Sequence, residues 1–246
     1  MLHTGLVSIS FRSLTCEELV EHLKKCGLKN IEWGSDVHAP ADNIERLYEI
    51  KKLMDDNGIN CCSYGTYFRI SITPVEEIYK YIKAAKILGT NILRLWCGNK
   101  GTDVITKEEK EKLFADSKAL AEIAEKEGVI LCMECHNNTY TDRIDPALEI
   151  MEEINSENFR MYWQPNQLRT FEENMYYAKT ISKYTYHLHV FNWAFDDRFP
   201  LKDSVLTWKD YLTNFEGDRY LLLEFMPDDK IETLPTETMA LNEIVG

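Results

Sequence analysis

Four side chains able to hold a cation or move a proton stand near the ends of four short apolar runs. They are Glu134 in VILCMEC, Gln164 in FRMYWQ, His189 in YTYHLHVF and Glu224 in YLLLEF. The runs are too short for isolated helices and rich in aliphatic and aromatic residues, which marks them as buried strands. A carboxylate, an amide, an imidazole and a second carboxylate thus end four successive strands. Burying such groups is costly unless they are paired or bound to a cation, so their recurrence points to one shared site. Alternation along a strand puts Glu134 in phase with Cys132 and His136, Gln164 with Tyr162 and Asn166, His189 with His187 and Phe191, and Glu224 with Leu222 and Met226.

The elements that must position these groups follow a simple order. Thr15 opens TCEELVEHLKKCG with a capping-box pattern, and Gly27 is a natural stop. The strand KNIEW follows. Asp42 begins a helix ending near Gly58, and INCCSY is the next strand. Thr73-Pro74-Val75-Glu76 opens a third helix, with proline at its first position, ending at Gly89 before the strand NILRLW. Thr106 and Glu109 open a long helix that stops at Gly128. Helices from about Asp145, over about Arg169 to Thr180, and around Trp208 to Asn214 each precede one of the last three strands, and a short helix over Thr236 to Asn242 closes the chain. With the opening strand GLVSISF, eight strands alternate with eight helices. In 246 residues that order matches a single (β/α)8 TIM-barrel domain. The rival, an open doubly wound sheet, would carry a glycine-rich phosphate fingerprint after its first strand, and none is present. The long stretch WAFDDRFPLK, from Trp193 to Lys202, is expected to cover the mouth as a flap.

The net charge of −13 argues against nucleic acid or an anionic membrane as partner, both of which call for a basic patch. A small anionic substrate stays compatible with it, since a few local cations suffice. No basic leader followed by a long apolar run opens the chain and no apolar stretch is long enough to span a bilayer, so the expected location is cytoplasmic. The seven cysteines read as reduced thiols. Cys132 and Cys135 form C-x-x-C, but on a strand that spacing puts them on opposite faces, against a redox or zinc-clip role.

The chain resembles the xylose-isomerase-like family of sugar and sugar-phosphate isomerases and epimerases, from GLVSISF through WGSDVHAP, SYGTYFR and RLWCG to LLLEF. The resemblance implies one divalent cation held by a glutamate, an aspartate, a histidine and a glutamate after the last four strands, the positions of Glu134, Gln164, His189 and Glu224. Gln164 departs from the family's aspartate. Its amide oxygen can ligate a hard cation but brings no charge, so weaker binding is expected, and replacing it with aspartate is expected to tighten Mn2+. Oxygen donors with one imidazole suit Mn2+, Mg2+ or Co2+, with Zn2+ also feasible. The implied chemistry removes a proton next to a carbonyl and stabilises the resulting enediolate on the metal, with Glu134 and Glu224 as the acid/base pair. The implied partner is a small sugar or sugar phosphate, in a homodimer or homotetramer. A dehydratase or lyase on the same metal site, or a sugar-binding protein with a decayed site, are the alternatives. DNA-repair endonucleases share the barrel but bring a multi-histidine cluster and a basic face, and this chain has only six histidines.

The rest of the mouth is expected to bind substrate through His187, Asn166, His38, Arg94, Trp96, Trp193 and Tyr64. His187 reads either as a donor to a substrate hydroxyl or as a hydrogen-bonded barrel histidine. About half of the strand-end aromatics, which also include Trp33, Tyr67 and Trp163, are expected to line the pocket. An arginine pointing into a barrel needs a carboxylate or a ligand anion, and Glu32 and Glu134 are the available partners for Arg94. Arg69 is expected to face the same mouth, and Arg198 and Lys202 on the long loop are candidates for a phosphate.

Overall fold

Helix stops set the rhythm of the chain. Gly27, Gly58, Gly89 and Gly128 end successive helices with φ of 72°, 65°, 88° and 68°, the left-handed conformation that glycine adopts without a Cβ penalty. In the computed structural model, which describes residues 1–246, eight parallel strands close into a barrel. They are β1 Leu2–Val7, β2 Asn30–Gly34, β3 Asn60–Arg69, β4 Ile92–Trp96, β5 Ile130–Glu134, β6 Phe159–Trp163, β7 Thr185–Val190 and β8 Arg219–Leu223. Each strand pairs with its sequence neighbours, and β8 pairs with β1 to close the ring. The helices α1 Cys16–Cys26, α2 Ile44–Asn57, α3 Ile78–Leu88, α4 Lys107–Glu127, α5 Ile144–Ile154, α6 Phe171–Ile181, α7 Val205–Leu212 and α8 Leu234–Val245 surround it. This is the (β/α)8 architecture expected from the order of elements. None of the helices is long and apolar enough to cross a membrane.

Capping boxes start α1 at Thr15, α4 at Thr106 and α6 at Thr170, each with a glutamate at the third helical position. Pro74 precedes a short 3-10 turn over Val75–Glu77, and α3 proper begins only at Ile78. The third strand is longer than INCCSY suggests and runs on to Arg69, with its pairing to β4 interrupted between Gly65 and Arg69. The segment after β7 folds into a small antiparallel ribbon, Trp193–Ala194 against Asp197–Arg198, over the barrel mouth.

The main core lies between strands and helices, where Leu6, Ile31, Trp33, Tyr64, Leu95, Met133, Trp163 and Leu188 pack together. Inside the barrel the lining divides. One apolar group joins Val7, Ile9, Cys62 and Leu222, and another joins Ile92, Cys132 and Tyr162. Glu32, Ser63, Arg94, His187 and His189 are buried too, and Glu32, Ser63, Arg94 and His189 form one polar cluster. Cys132 faces the lumen and Cys135 the outer core, as alternation requires, and all seven cysteines are free thiols.

Candidate metal centre

Glu134 is the last residue of β5, Gln164 follows β6, His189 is the penultimate residue of β7 and Glu224 follows β8. Parallel strands in adjacent register bring these ends to one side of the mouth. Phe225 then breaks the alternation. Its φ is 54° and its N–H donates to Ser10 Oγ at 2.9 Å. A bulky residue in the left-handed region is strained and is kept only where its surroundings over-determine it. The turn sends Met226 into the outer core, not the inward face that strict alternation predicts for it, and lays the Phe225 ring against Trp193, 5.4 Å between centroids and 19° from parallel.

The four polar ends converge on His189 Nδ1. Gln164 Oε1 lies 3.1 Å from it, Glu224 Oε2 3.5 Å and Glu134 Oε1 3.7 Å. The ligand atoms of Glu134, His189 and Glu224 all fall within 4.8 Å of one another. A cation with bonds of about 2.1 Å spaces neighbouring ligands roughly 3.0 Å apart in an octahedron and about 3.4 Å in a tetrahedron. The donor set therefore fits a divalent ion. Charge agrees: the formal charges of Glu32, Glu134, Glu224 and Arg94 leave two negative charges in the cluster, which a dication neutralises.

Behind these donors lies a buried ion chain. His189 Nε2 stands 3.5 Å from Glu32 Oε1. Glu32 accepts from Ser63 Oγ at 2.7 Å and from Arg94 Nε at 3.2 Å. Arg94 Nη1 donates to Glu134 Oε2 at 2.8 Å, and Trp96 Nε1 donates to the same oxygen at 2.5 Å. Arg94 thus joins two carboxylates, Glu32 and Glu134. Gly65 makes room for it, since a Cβ there would sit 2.7 Å from Glu32 Oε1 and 2.8 Å from Arg94 Nη2. Burial alone would raise the Glu32 carboxyl, but His189, Arg94 and Ser63 together hold it down at about 2. Burial works the same way on Glu134, and Arg94 and then His189 reverse it, leaving its carboxyl well below the usual range. Burial would strip the His189 proton, but the carboxylates of Glu224, Glu134 and Glu32 push its pKa well up.

A cavity of about 230 Å³ opens directly on the centre, lined by Glu134, His136, Gln164, Trp193, Glu224 and Phe225 among others. Asn166 also lines it, its amide donating to Asn137 Oδ1 at 2.7 Å. Arg94 and Trp96 reach the centre through Glu134. His187 does not lie at the mouth. It is buried beside Tyr162 and Tyr220, with Nδ1 2.9 Å from Tyr186 O, and burial lowers its pKa to about 4. His38 is held by Ser8 Oγ at 3.1 Å and Leu14 O at 3.0 Å and lines no part of this cavity. Tyr64 points to the helix layer, donating to Ala39 O at 2.5 Å. Trp33 and Trp163 face that layer too, so of the strand-end aromatics only Trp193 borders the cavity. Arg198 is paired with Asp229 and lies over Trp193 and Phe225, while Lys202 is exposed. His136 and Asn137 are cavity residues that the sequence reading did not select, although His136 shares the inward phase of Glu134.

The sequence matches the family model for xylose isomerase-like TIM barrels over residues 20–239, and the chain belongs to that family. A 3-dehydroshikimate dehydratase from Bacillus anthracis is 25% identical to it over 276 aligned positions, covering 96% of this chain and 95% of that protein. A xylose isomerase-like TIM-barrel protein from Mycobacterium smegmatis, solved in complex with magnesium, superposes with a TM-score of 0.74 at 14% identity, covering 95% of this chain and 90% of that one. The D-psicose 3-epimerase of Clostridium cellulolyticum H10 superposes with a TM-score of 0.67 at 17% identity, covering 98% and 97%. Proteins similar to this chain thus include a dehydratase and an epimerase.

Proposed function

We propose that the protein is a divalent-cation-dependent lyase that removes water from a small hydroxylated carbonyl compound, beginning with loss of the proton next to the carbonyl. The observation that carries this reading is the unequal state of the two carboxylates. Glu134 Oε2 accepts from both Arg94 and Trp96, and Oε1 turns toward His189. Glu224 has no N–H or O–H donor of that kind; its nearest charged partner is His189 at 3.5 Å. One free base suits an elimination. Inversion at carbon needs proton transfer on both faces of the substrate, and a carboxylate clamped by two donors is poorly placed to serve the second face. Full-length similarity to a dehydratase supports the same reading.

In this scheme Glu134, Gln164, His189 and Glu224 hold the cation, with Mn2+ the best match to three oxygens and one imidazole. When bound, it supplies electrophilic polarisation of the substrate carbonyl oxygen. Glu224 takes the proton from carbon, and the electrons of that C–H bond form the new double bond. His136, entering the step with both ring nitrogens protonated, gives its Nε2 proton to the departing hydroxyl, so water leaves and the neutral ring remains. Its Nδ1–H is fixed on Asn137 O at 2.7 Å, which leaves Nε2 without a protein partner on a ring that lines the cavity.

The second reading is an isomerase or epimerase acting on a sugar or sugar phosphate, favoured by the presence of two carboxylates around His189. The two separate in D2O with Mn2+-loaded protein and either 3-dehydroshikimate or D-psicose as substrate. A lyase gives a product lighter by one water with new near-ultraviolet absorbance, and Glu224→Gln lowers that rate by about 10²–10⁴-fold at matched metal content. Deuterium entering recovered sugar without loss of water would replace the lyase by the epimerase.

A further inference from the structure

Arg69, the last residue of β3, is held differently from the other arginines of the mouth. Arg12 is paired with Asp36, Arg94 with Glu32 and Glu134, Arg169 with Glu173 and Arg198 with Asp229. Arg69 has no carboxylate within ion-pair reach, although the chain carries 41 acidic residues against 28 lysines and arginines. Its guanidinium carbon lies 3.7 Å from the centroid of the Trp96 ring, and Nη1 donates to Gly98 O at 3.2 Å. The edge formed by Nε and Nη2 makes no hydrogen bond. The backbone beneath it is fixed, with Arg69 N donating to Thr73 Oγ1 at 3.2 Å and Arg69 O accepting from Thr73 N at 2.8 Å. Trp96, the platform under Arg69, is the residue whose indole N–H holds Glu134.

We propose that Arg69 reads a carboxylate on the substrate, one indole away from the reacting end at Glu134 and His189. This rests on the proposed lyase reading and names its substrate class: a hydroxylated carbonyl compound that is also a carboxylic acid. An open guanidinium edge matches a planar carboxylate with two parallel hydrogen bonds. A single unpaired cation suits a monoanion and would leave half of a phosphate dianion unmatched. Stacking on Trp96 holds the fork in its binding plane before substrate arrives.

The test is calorimetric, on Mn2+-loaded protein, with two probes. One is 3,4-dihydroxybenzoate, the aromatic acid formed when 3-dehydroshikimate loses water; the other is catechol, the same ring without the carboxylate. Wild type is expected to bind the acid at least about tenfold more tightly than catechol. Arg69→Gln is expected to erase that preference while leaving catechol affinity and the melting temperature unchanged, and Arg69→Lys to keep part of it. Equal affinity for both probes in wild type, absence of binding by the acid, or survival of the preference in Arg69→Gln would each overturn the assignment. An intact preference in wild type, lost in Arg69→Gln, with no turnover of 3-dehydroshikimate would sink the lyase reading and leave the carboxylate site standing.

Discussion

Glu32→Gln is the sharpest test of how the buried ion chain supports the metal centre. The substitution keeps shape and removes one charge. Glu32 is fully buried, 3.5 Å from His189 Nε2 and 3.2 Å from Arg94 Nε. Two unit charges about 4 Å apart interact by ~4 kcal/mol at an effective dielectric constant of 20. Removing a buried carboxylate also removes its own desolvation cost, and breaking such a pair from one side costs about 3–5 kcal/mol. Arg94 keeps Glu134 at 2.8 Å, so the expected loss of stability is at the lower end of that range, about 3 kcal/mol. The same carboxylate orients His189 toward the other donors. Loss of such a support lowers metal affinity by roughly 10–100-fold. Stability is read by urea unfolding in the presence of chelator, and affinity by Mn2+ titration of the folded protein. A variant that loses stability but binds Mn2+ within a factor of about three of wild type would refute the role assigned to Glu32 behind His189. Unchanged stability would refute the electrostatic reasoning itself.

Three further outcomes are expected. Gln164→Glu preserves the reach that puts Oε1 3.1 Å from His189 Nδ1 and adds a negative charge, so Mn2+ should bind about tenfold more tightly; unchanged affinity in the same titration would mean that residue 164 is not a ligand. Trp96→Phe deletes the N–H donor to Glu134 Oε2 and should cost about 1.5–3 kcal/mol by urea unfolding, whereas a cost near zero would show that Arg94 alone holds that oxygen. Burial lowers the pKa of His38 below the ordinary 6.5 despite its bond to Leu14 O. The unfolded chain therefore takes up that proton first, so the His38 contribution is whole above about pH 6.5 and shrinks as pH falls below it. Wild type should lose stability relative to His38→Asn between pH 7 and 5, and a difference flat across that window would count against the buried neutral imidazole.

Much of the frame was legible because local signals and global order agree. Thr15 and Thr106 cap the helices they precede, and the glycines at 27, 58, 89 and 128 end the first four helices. Short apolar runs with a polar residue at the end marked the strands that carry Glu134, His189 and Glu224, and their ligand atoms do converge. What alternation misjudged lies where a strand stops being regular. Phe225 adopts a left-handed conformation and turns Met226 outward, and a sequence carries no sign of that strain. His187 is in phase with His189, but phase does not give depth, and the residue lies among tyrosines with no place in the cavity lining. Trp33 and Trp163 near their strand ends, and Tyr64 in the middle of the longer β3, face outward, because a strand supplies as many residues to the helix layer as to the barrel interior. Glu32 was visible only as a partner for Arg94, since its approach to His189 depends on strands far apart in sequence.

The ion chain Glu32–Arg94–Glu134 also crosses the midline of the molecule. Glu32 and Arg94 come from the first half of the chain, on β2 and β4, and Glu134 and His189 from the second, on β5 and β7. The residues proposed to handle protons are thus all encoded downstream, while Arg69 and its Trp96 platform are encoded upstream. Recombination near residue 100 would trade recognition surfaces between related barrels and leave the chemistry in place. The condition for such a chimera to work is narrow: the incoming half must bring an acid at 32, a base at 94 and the missing side chain at Gly65 that lets them meet. Those three positions act as the compatibility code between two halves that could otherwise diversify independently.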